Sequence, residues 1–527
     1  MCVSRKSVKP HRVGARGVMN AADSHAPHVP PTTINPVLAC IAGMAAQEAG
    51  NMDEAVLQFE HALLLAPALI DVRLSLAFAL GVHGRTSEAH RVLHETPALE
   101  TLPECDLRRL ADAAAQLGAT AIALKTVRIL ADANRDDAEL QSMLGALLHR
   151  TGEIEEAGHV LHRAVLRWPT HVATLMNTAR LLVADGHYVG ALRNYDRALK
   201  TAPHHATARW HRGLLRLTMG DMAGGWTDHE ARRTLPVHTV TVPNGIPAWD
   251  GKNASGKTLL LWGEQGLGDQ IQGVRFAAML ASLGARVIVR CAPALKRLFA
   301  NADGAALVVA DGEVLPACDA HVPMLSVPFL LKLFDETSYR AGSYLQHSLS
   351  TAGPTVSRAR SHELSQQFSR TRVGFAWAGS PGHSNDQLRS LPVSQLAPLL
   401  DGVSAQWISL QVGARASELT MLPQQARTAV VDVASTLVDF ADTAHVIGAL
   451  DRVVTVDTSV AHLAGALGVP TLLLLPFVPD WRWQLSREDS PWYEAIRIVR
   501  QPSPGDWASV IARVHRELSA GGQARAA

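Results

Sequence analysis

Small and large apolar residues recur through the first half of the chain at a fixed spacing of 34 positions. Two columns hold small residues and a third holds larger ones: Ala55, Ala89, Ala123, Ala157, Ala191 and Gly225; Gly43, Ala77, Ala111, Gly145, Ala179 and Gly213; Phe59, Leu93, Leu161 and Tyr195. Small residues let two helices approach closely, and the larger residue fills the gap between them. The pattern predicts about six helix pairs. They must stack, because one pair cannot bury its own apolar face.

A different pattern begins after residue 257, where short apolar runs rich in β-branched residues alternate with segments of helical spacing. The runs are TLLLW, ARVIVRC and ALVVA and, after a polar stretch at about 346 to 371, RVGFAWAG, QWISLQ, AVVDV, RVVTVD and TLLLLP. Continuous apolar strands between helices are typical of parallel sheets covered on both faces. Two such blocks predict two Rossmann-like domains, with ligands at the carboxyl ends of the strands, in a cleft between the domains.

These patterns divide the chain into six predicted segments. They are a disordered leader (1–35), a helical repeat region (36–239), a linker (240–257), a first Rossmann-like domain (258–355), a second Rossmann-like domain (356–515) and a flexible tail (516–527).

Composition excludes several classes of protein. The 527 residues carry a net charge of +1, which does not favour nucleic acid or an acidic membrane surface as a partner. Five widely spaced cysteines without a Cys-x-x-Cys pair indicate neither a disulfide framework nor a zinc site. The basic N-terminus lacks the apolar core of a secretory signal, and no run approaches the roughly 20 apolar residues of a membrane span. We therefore expect a cytoplasmic protein.

One motif is misleading. Residues 251–258, GKNASGKT, match the phosphate-binding P-loop letter for letter. A P-loop needs a strand before the loop and a helix after it, so that helix amides face the phosphates. Here a Pro/Gly-rich coil precedes the motif and the strand TLLLW follows it. We therefore interpret the motif as a linker and turn.

The glycine-rich turn of TLLLWGEQGLGDQIQ (258–272) is also a poor phosphate cradle. Gly263, Gly266 and Gly268 do not have dinucleotide-binding spacing, and Asp269 would repel a phosphate. Gly266 and Gly268 are interpreted as an acceptor loop, in which the backbone approaches another group closely. Asp269 has two interpretations: a cap that stabilises its helix, or a general base that faces an acceptor hydroxyl.

A better phosphate site lies in the second block, where RVVTVDTSVAHLAGALGVP (452–470) predicts a strand, a turn and a helix rich in small residues. The side chains of Thr458 and Ser459 and the amides at the helix start provide donors for a diphosphate. Asp457 precedes them, and His462 lies near the same face. A loop at 377–392 adds Arg389, whose guanidinium suits phosphate oxygens. In the alternative interpretation, Asp457 and Ser459 only cap the helix and Arg389 is a surface charge.

These segments carry a resemblance. The repeats resemble tetratricopeptide repeats. EQGLGD, WAGSPGHSNDQLRS and DTSVAHLAGALG, in this order, resemble the heptosyltransferase-like glycosyltransferases of family 9. The combination is similar to bacterial repeat-plus-glycosyltransferase proteins and, more distantly, to O-linked N-acetylglucosamine transferases. The resemblance covers about 36 to 515. It implies an α-solenoid followed by two Rossmann-like domains in the GT-B arrangement, the first on the acceptor side and the second on the nucleotide-sugar side. It also implies a nucleotide-sugar donor as co-substrate, and no required metal or cofactor.

The resemblance also implies roles for single residues. Asp269 matches the base of the heptosyltransferases, Arg389 matches the basic residue that neutralises the leaving diphosphate, and the turn that holds the diphosphate matches Asp457, Thr458, Ser459 and His462. The heptosyltransferases have Lys-Arg-Trp-Pro where this chain has Leu388–Pro392, LRSLP. Because of this difference, the resemblance does not imply that ADP-heptose is the donor of this protein.

Three functions remain open. The first is a glycosyltransferase whose repeats recruit a protein or carrier-bound acceptor. The second is sugar transfer to lipopolysaccharide, and the third is a non-enzymatic repeat scaffold with a relic transferase fold. The aromatic residues Trp481, Trp483, Trp492 and Tyr493 either stack on a ligand or pack a domain edge.

Overall fold

A computed structural model describes residues 35–235, 245–346, 371–383 and 385–523. The chain forms two compact units, Met1–Ala133 and Asn134–Ala527. The predicted leader up to residue 34, residues 240–244 of the predicted linker and the polar stretch 347–370 lie outside the described residues.

The described part of the first unit is three helical hairpins. Their helices are α1 (Pro36–Glu48), α2 (Met52–Leu65), α3 (Ile70–Val82), α4 (Thr86–His94), α5 (Glu104–Gln116) and α6 (Thr120–Ala133). The predicted columns explain the packing. Ala55, Ala89 and Ala123 are fully buried. A Cβ added to Gly43 would lie 2.7 Å from Cε1 of Phe59, so this close approach requires glycine.

The second unit begins with three more hairpins of the same period. Their helices are α7 (Ala138–Thr151), α8 (Ile154–Arg167), α9 (Val172–Ala184), α10 (Tyr188–Thr201), α11 (Ala206–Thr218) and α12 (Met222–His229). Ala157 and Ala191 are fully buried, and α8 and α10 end two residues before Pro169 and Pro203. Proline cannot continue a helix, which explains these ends.

A four-stranded parallel sheet follows the hairpins. Its strands are β1 (Thr258–Trp262), β2 (Arg286–Cys291), β3 (Ala305–Ala310) and β4 (Ala320–Pro323), in the order β3-β2-β1-β4. Its helices are α13 (Leu267–Gly273), α14 (Phe276–Ser282), α15 (Lys296–Phe299) and α16 (Val327–Leu330). The strand order reverses beside β1, so the glycine-rich turn after β1 lies at a topological switch point.

A six-stranded parallel sheet completes the unit. Its strands are β5 (Thr371–Ala376), β6 (Ala405–Ser409), β7 (Val430–Asp432), β8 (Arg452–Val456), β9 (Thr471–Leu475) and β10 (Ile496–Arg500), in the order β10-β9-β8-β5-β6-β7. Its helices are α17 (Asp386–Arg389), α18 (Ala397–Gly402), α19 (Gln424–Thr428), α20 (Phe440–Gly448), α21 (Ser459–Ala466) and α22 (Trp507–Gln523). The switch point lies between β5 and β8, the two strands that precede the predicted donor loops.

The fold class is therefore as predicted: tetratricopeptide-like helical hairpins followed by two parallel α/β domains. The predicted flexible tail begins at residue 516, but α22 continues to Gln523 because Val514 and Leu518 extend an apolar face that packs on the second sheet. At the misleading motif, β1 begins at Thr258 directly after the glycine-rich segment, and the helix that a P-loop needs does not follow. Among the described residues, no helix is both long and apolar enough to cross a membrane.

The last hairpin of the second unit is joined to the first sheet by a buried ion pair. A short 3₁₀ turn after α12 carries Arg232, whose side chain is completely buried. Its Nη2 donates to Oε1 of Glu264 at 2.6 Å and its Nε donates to Oε2 at 3.0 Å. Glu230 and Ser326 complete the network around the guanidinium. Because both charges are withdrawn from water, this pair is stable only while both partners and the surrounding hydrogen bonds are present.

Replacing Arg232 by methionine should lower the free energy of unfolding of the second unit by about 3–5 kcal/mol, because Glu264 would keep a buried charge without its partner. Arg233 is the matched control, since its side chain is 43% exposed and only approaches Glu230, at 3.6 Å. Arg233→Met should lower the free energy of unfolding by less than about 1 kcal/mol. Urea unfolding followed by tryptophan fluorescence measures both variants, and equal losses would contradict the assignment.

Candidate functional site

Residues from three parts of the second unit line one cavity of about 1090 Å³. The first sheet contributes its glycine-rich turn, the second sheet contributes the loops after β5 and β8, and the hairpins contribute one wall. The cavity brings together every site residue that the sequence predicts: Gly266, Gly268, Asp269, Arg389, Asp457, Thr458, Ser459 and His462. The predicted residues therefore share one site, although their individual roles stay predictions.

Asp269 caps its helix and also lines the cavity, while its role as a general base stays a prediction. It is the third residue of α13, and its Oδ2 accepts a hydrogen bond from the backbone N–H of Gly266 at 2.8 Å, which caps the helix. Its Oδ1 accepts from Nη2 of Arg482. Burial raises the pKa of Asp269, and the charge of Arg482 opposes that rise. Each carboxylate oxygen can accept more than one hydrogen bond, so the capping role leaves acceptor capacity toward the cavity.

Arg482 connects the two sheets of the site. It follows β9 in the sequence and is 7% exposed. Besides Asp269, it donates to Oε1 of Gln272 at 2.7 Å and to Oδ1 of Asp480 at 2.8 Å, and it stacks 4.2 Å from the ring centre of Trp481. Two of its four partners belong to α13 of the first sheet. The guanidinium therefore fixes the carboxylate of Asp269 relative to the second sheet.

Gly268 on α13 packs closely against His462 on α21. A Cβ at this position would lie 2.7 Å from Cδ2 of His462. The imidazole of His462 is 5% exposed, its Nδ1 is 2.8 Å from the hydroxyl of Tyr493, and its ring stacks on Trp483. Burial, aided by nearby arginines, lowers the pKa of His462, so the ring is neutral at pH 7. In this arrangement the ring of His462 fills the contact between α13 and α21.

Arg389 ends the short helix α17 and faces the cavity with a side chain that is 14% exposed. Its Nε lies 3.5 Å from Oδ1 of Asp386 but makes no hydrogen bond within the described residues. Asp386 is shared, since it also accepts from Ser390 at 2.9 Å and from Arg415 at 3.2 Å. A guanidinium that lines a cavity is a suitable partner for an anion.

The turn after β8 is buried and polar. Thr458 is the N-cap of α21, and its Oγ1 accepts from the backbone N–H of Val460 at 3.2 Å. Ser459 is the first residue of the helix and is half-buried. Asp457 is 9% exposed, and burial, together with the nearby carboxylate of Asp480, raises its pKa to about 7. The helix is therefore capped by Thr458 and not by Asp457 or Ser459, to which the alternative interpretation gave that role. Asp457 is a carboxyl group that is protonated readily near neutral pH.

The aromatic residues after β9 pack the interior of the second unit. Trp483, Trp492 and Tyr493 are at most 1% exposed. The ring of Trp481 lies 5.2 Å from that of Trp226 on α12, at an interplanar angle of 83°. Of the four aromatic residues that the sequence singles out, only Trp481 lines the cavity. The packing interpretation therefore describes the cluster.

The hairpins form a wall of the site. The lining residues on their helices are His149, Arg180, Val183, Tyr188, Tyr195, His211, Leu214, Leu215 and Thr218. The sequence predicts the repeats but not that they border the cavity. The sequence analysis also does not identify Arg482 or Glu264 as important. The only signal for Arg482 is its place within the aromatic run, and the only signal for Glu264 is its place within the glycine-rich turn.

The chain is similar to one curated protein and, over parts of its length, to solved structures. No family model matches the chain. Protein FlbA of Caulobacter vibrioides is 24% identical over 456 residues, which span 73% of this chain and 73% of FlbA. The ADP-heptose lipopolysaccharide heptosyltransferase II of E. coli aligns over 51% of this chain and 100% of its own, at 16% identity and a TM-score of 0.36. A tetratricopeptide-repeat protein of Thermus thermophilus aligns over 34% of this chain and 99% of its own, at 22% identity and a TM-score of 0.24.

Replacing Gly268 by alanine should lower the free energy of unfolding of the second unit by about 1–3 kcal/mol, because the new Cβ would overlap the packed ring of His462. Gly158 is the control, since it lies inside α8 and a Cβ there meets only Leu181, at 3.9 Å. Gly158→Ala should be neutral or stabilising by up to about 1 kcal/mol. Urea unfolding of both variants measures the effect, and a Gly268→Ala protein as stable as Gly158→Ala would contradict the close approach.

Asp457 should make the second unit less stable as the pH rises from about 4 toward 7. Its pKa is raised to about 7 in the folded state, whereas an unfolded aspartate has a pKa of about 3.9. The folded chain therefore holds one proton more in this window, and stability falls with increasing pH. The effect is measured by the urea concentration at the midpoint of unfolding, at about pH 4 and about pH 7, for the wild type and for Asp457→Asn. An equal pH dependence in both proteins would contradict the assignment.

Proposed function

We propose that this protein is a glycosyltransferase that binds a nucleotide-sugar in the cavity of the second unit and transfers the sugar to a hydroxyl group presented by the repeats. The observation that carries the proposal is the convergence of Asp269, Arg389 and the start of α21 on one cavity that both sheets and the hairpins line. The positions follow from topology, because all three groups stand at switch points of parallel sheets.

The donor's phosphate groups are assigned to the second sheet. Arg389 lines the cavity with a side chain that is 14% exposed, and the first residues of α21 add backbone N–H groups and the hydroxyl of Ser459. A guanidinium and the positive end of a helix stabilise the negative charge that develops as the nucleotide leaves. Asp457 fits this role when protonated, because a neutral carboxyl group beside a phosphate removes the repulsion. Sugars activated by a nucleotide are the donor class, and ADP-heptose is not assigned.

Asp269 is assigned as the general base. The bond between the sugar's anomeric carbon and the phosphate oxygen breaks, a bond from the acceptor oxygen to that carbon forms, and the hydroxyl proton passes to the carboxylate. Burial keeps the pKa of Asp269 above its usual range, which makes the carboxylate a stronger base. Arg482 holds the carboxylate in place, so the base is oriented before the substrates bind.

A thermal-shift panel of nucleotides and nucleotide-sugars tests donor binding. We expect one nucleotide class to raise the melting temperature in a concentration-dependent way, because a ligand that binds only the folded state stabilises it. Arg389→Gln should remove this shift. Arg427→Gln is the control and should keep it, since Arg427 lies on α19, away from the cavity.

Asp269→Asn separates binding from chemistry in the same experiment. This variant should keep the donor-induced shift but lose transfer activity by about 10²–10⁴-fold, measured as acceptor-dependent release of the nucleotide. If no nucleotide shifts the melting temperature of the well-folded wild type, the transferase proposal is wrong and a scaffold with a relic transferase fold is the better account.

A further inference from the structure

Arg180 is a cation on the cavity wall that neither the fold nor the proposed chemistry uses. It lies on α9, lines the cavity and is exposed. Within the described residues, it forms neither a hydrogen bond nor an ion pair, in contrast to Arg212 and Arg216, which both pair with Asp228 on α12. Among the hairpin residues that the structure describes, those that line the cavity include no carboxylate. This wall therefore carries a positive charge that is not neutralised locally.

The surroundings of Arg180 are suited to hold an anionic group. His149 on α7 and Tyr195 on α10 are close enough for the charge of Arg180 to influence both. Burial and Arg180 together lower the pKa of His149, so the imidazole is neutral at pH 7 and can act as a hydrogen-bonding partner. Val183 and Tyr188 add apolar surface to the same cavity. An ionised carboxylate would meet one full positive charge and uncharged polar neighbours.

The face of α9 that carries Arg180 continues beyond the cavity. Ala173, Met176 and Asn177 line a second hollow of about 840 Å³, and Arg180 and Val183 continue the same face into the site cavity. From 173 to 183 the helix rises about 15 Å. That length matches roughly four or five residues of extended polypeptide. An extended chain can therefore follow one helix face from the second hollow to the donor loops.

We propose that this face of α9 binds an extended acidic segment of a polypeptide acceptor, and that Arg180 holds a carboxylate side chain of this segment near the hydroxyl that receives the sugar. The inference rests on the proposed function, and it specifies the acceptor class of the same site. Charge complementarity favours an acidic segment. The face is long and carries both apolar residues (Met176, Val183) and polar ones (Asn177, Arg180), which favours a polypeptide over a compact head group.

Peptide binding to the full chain tests the inference. The probes are two fluorescein-labelled pools of roughly ten-residue peptides, long enough to span the face. Both pools have a central serine or threonine and differ only in glutamate or glutamine at the flanking positions. Fluorescence anisotropy should show that the wild type binds the glutamate pool about tenfold more tightly, as expected for one charge-assisted contact. Arg180→Gln should abolish this preference, and added salt should weaken it.

Arg163→Gln is the matched control, because Arg163 is an exposed arginine on α8 that does not line the cavity. It should keep the full preference for glutamate. Equal binding of the two pools by the wild type, or an unchanged preference in Arg180→Gln, would overturn the inference. So would Arg180-dependent binding to phosphatidylglycerol vesicles without discrimination between the pools. The measurement contains no nucleotide-sugar, so its failure is distinct from a failure of the donor thermal shift.

Discussion

The six-residue turn from Glu264 to Asp269 is the joint on which the second unit depends. At one end, Glu264 forms the buried ion pair with Arg232, which follows the last hairpin. At the other end, Asp269 accepts from Arg482 of the second sheet. Between them, Gly268 admits the ring of His462. The short turn after β1 therefore contacts the hairpins, its own helix α13 and the domain of the second sheet.

This joint explains why a carboxylate stands where a dinucleotide fold would hold a phosphate. A carboxylate at the start of α13 is stabilised by the helix N-terminus, and Arg482 supplies a full positive charge from the other domain. The same contacts place Asp269 at the edge of the cavity in a fixed orientation. A phosphate needs positive or hydrogen-donating groups instead. Elsewhere in the cavity, Arg389 and the start of α21 offer donors to such an anion. The cleft thus has a side suited to a base and a side suited to a leaving phosphate.

Local patterns in the sequence predict much of this architecture. The 34-residue columns predict the hairpins because close helix packing requires small residues at fixed positions, and alternating apolar runs predict the parallel sheets. The loops after β1, β5 and β8 are predicted as site elements because ligands bind at the carboxyl ends of parallel strands. Contacts between residues distant in sequence are not predictable in this way. Arg482 lies 213 residues from Asp269, and Arg180 reaches the cavity only because the last hairpins are fixed beside the sheets.

Hydrogen–deuterium exchange of the wild-type chain, with and without the nucleotide-sugar that raises its melting temperature, tests the central claim most directly. If the donor binds between the two sheets, exchange should slow together in three segments: the turn and helix at 266–273, the loop that ends at Arg389, and the start of α21 at 459–462. Slower exchange confined to one sheet, or to the repeats, would contradict a shared site.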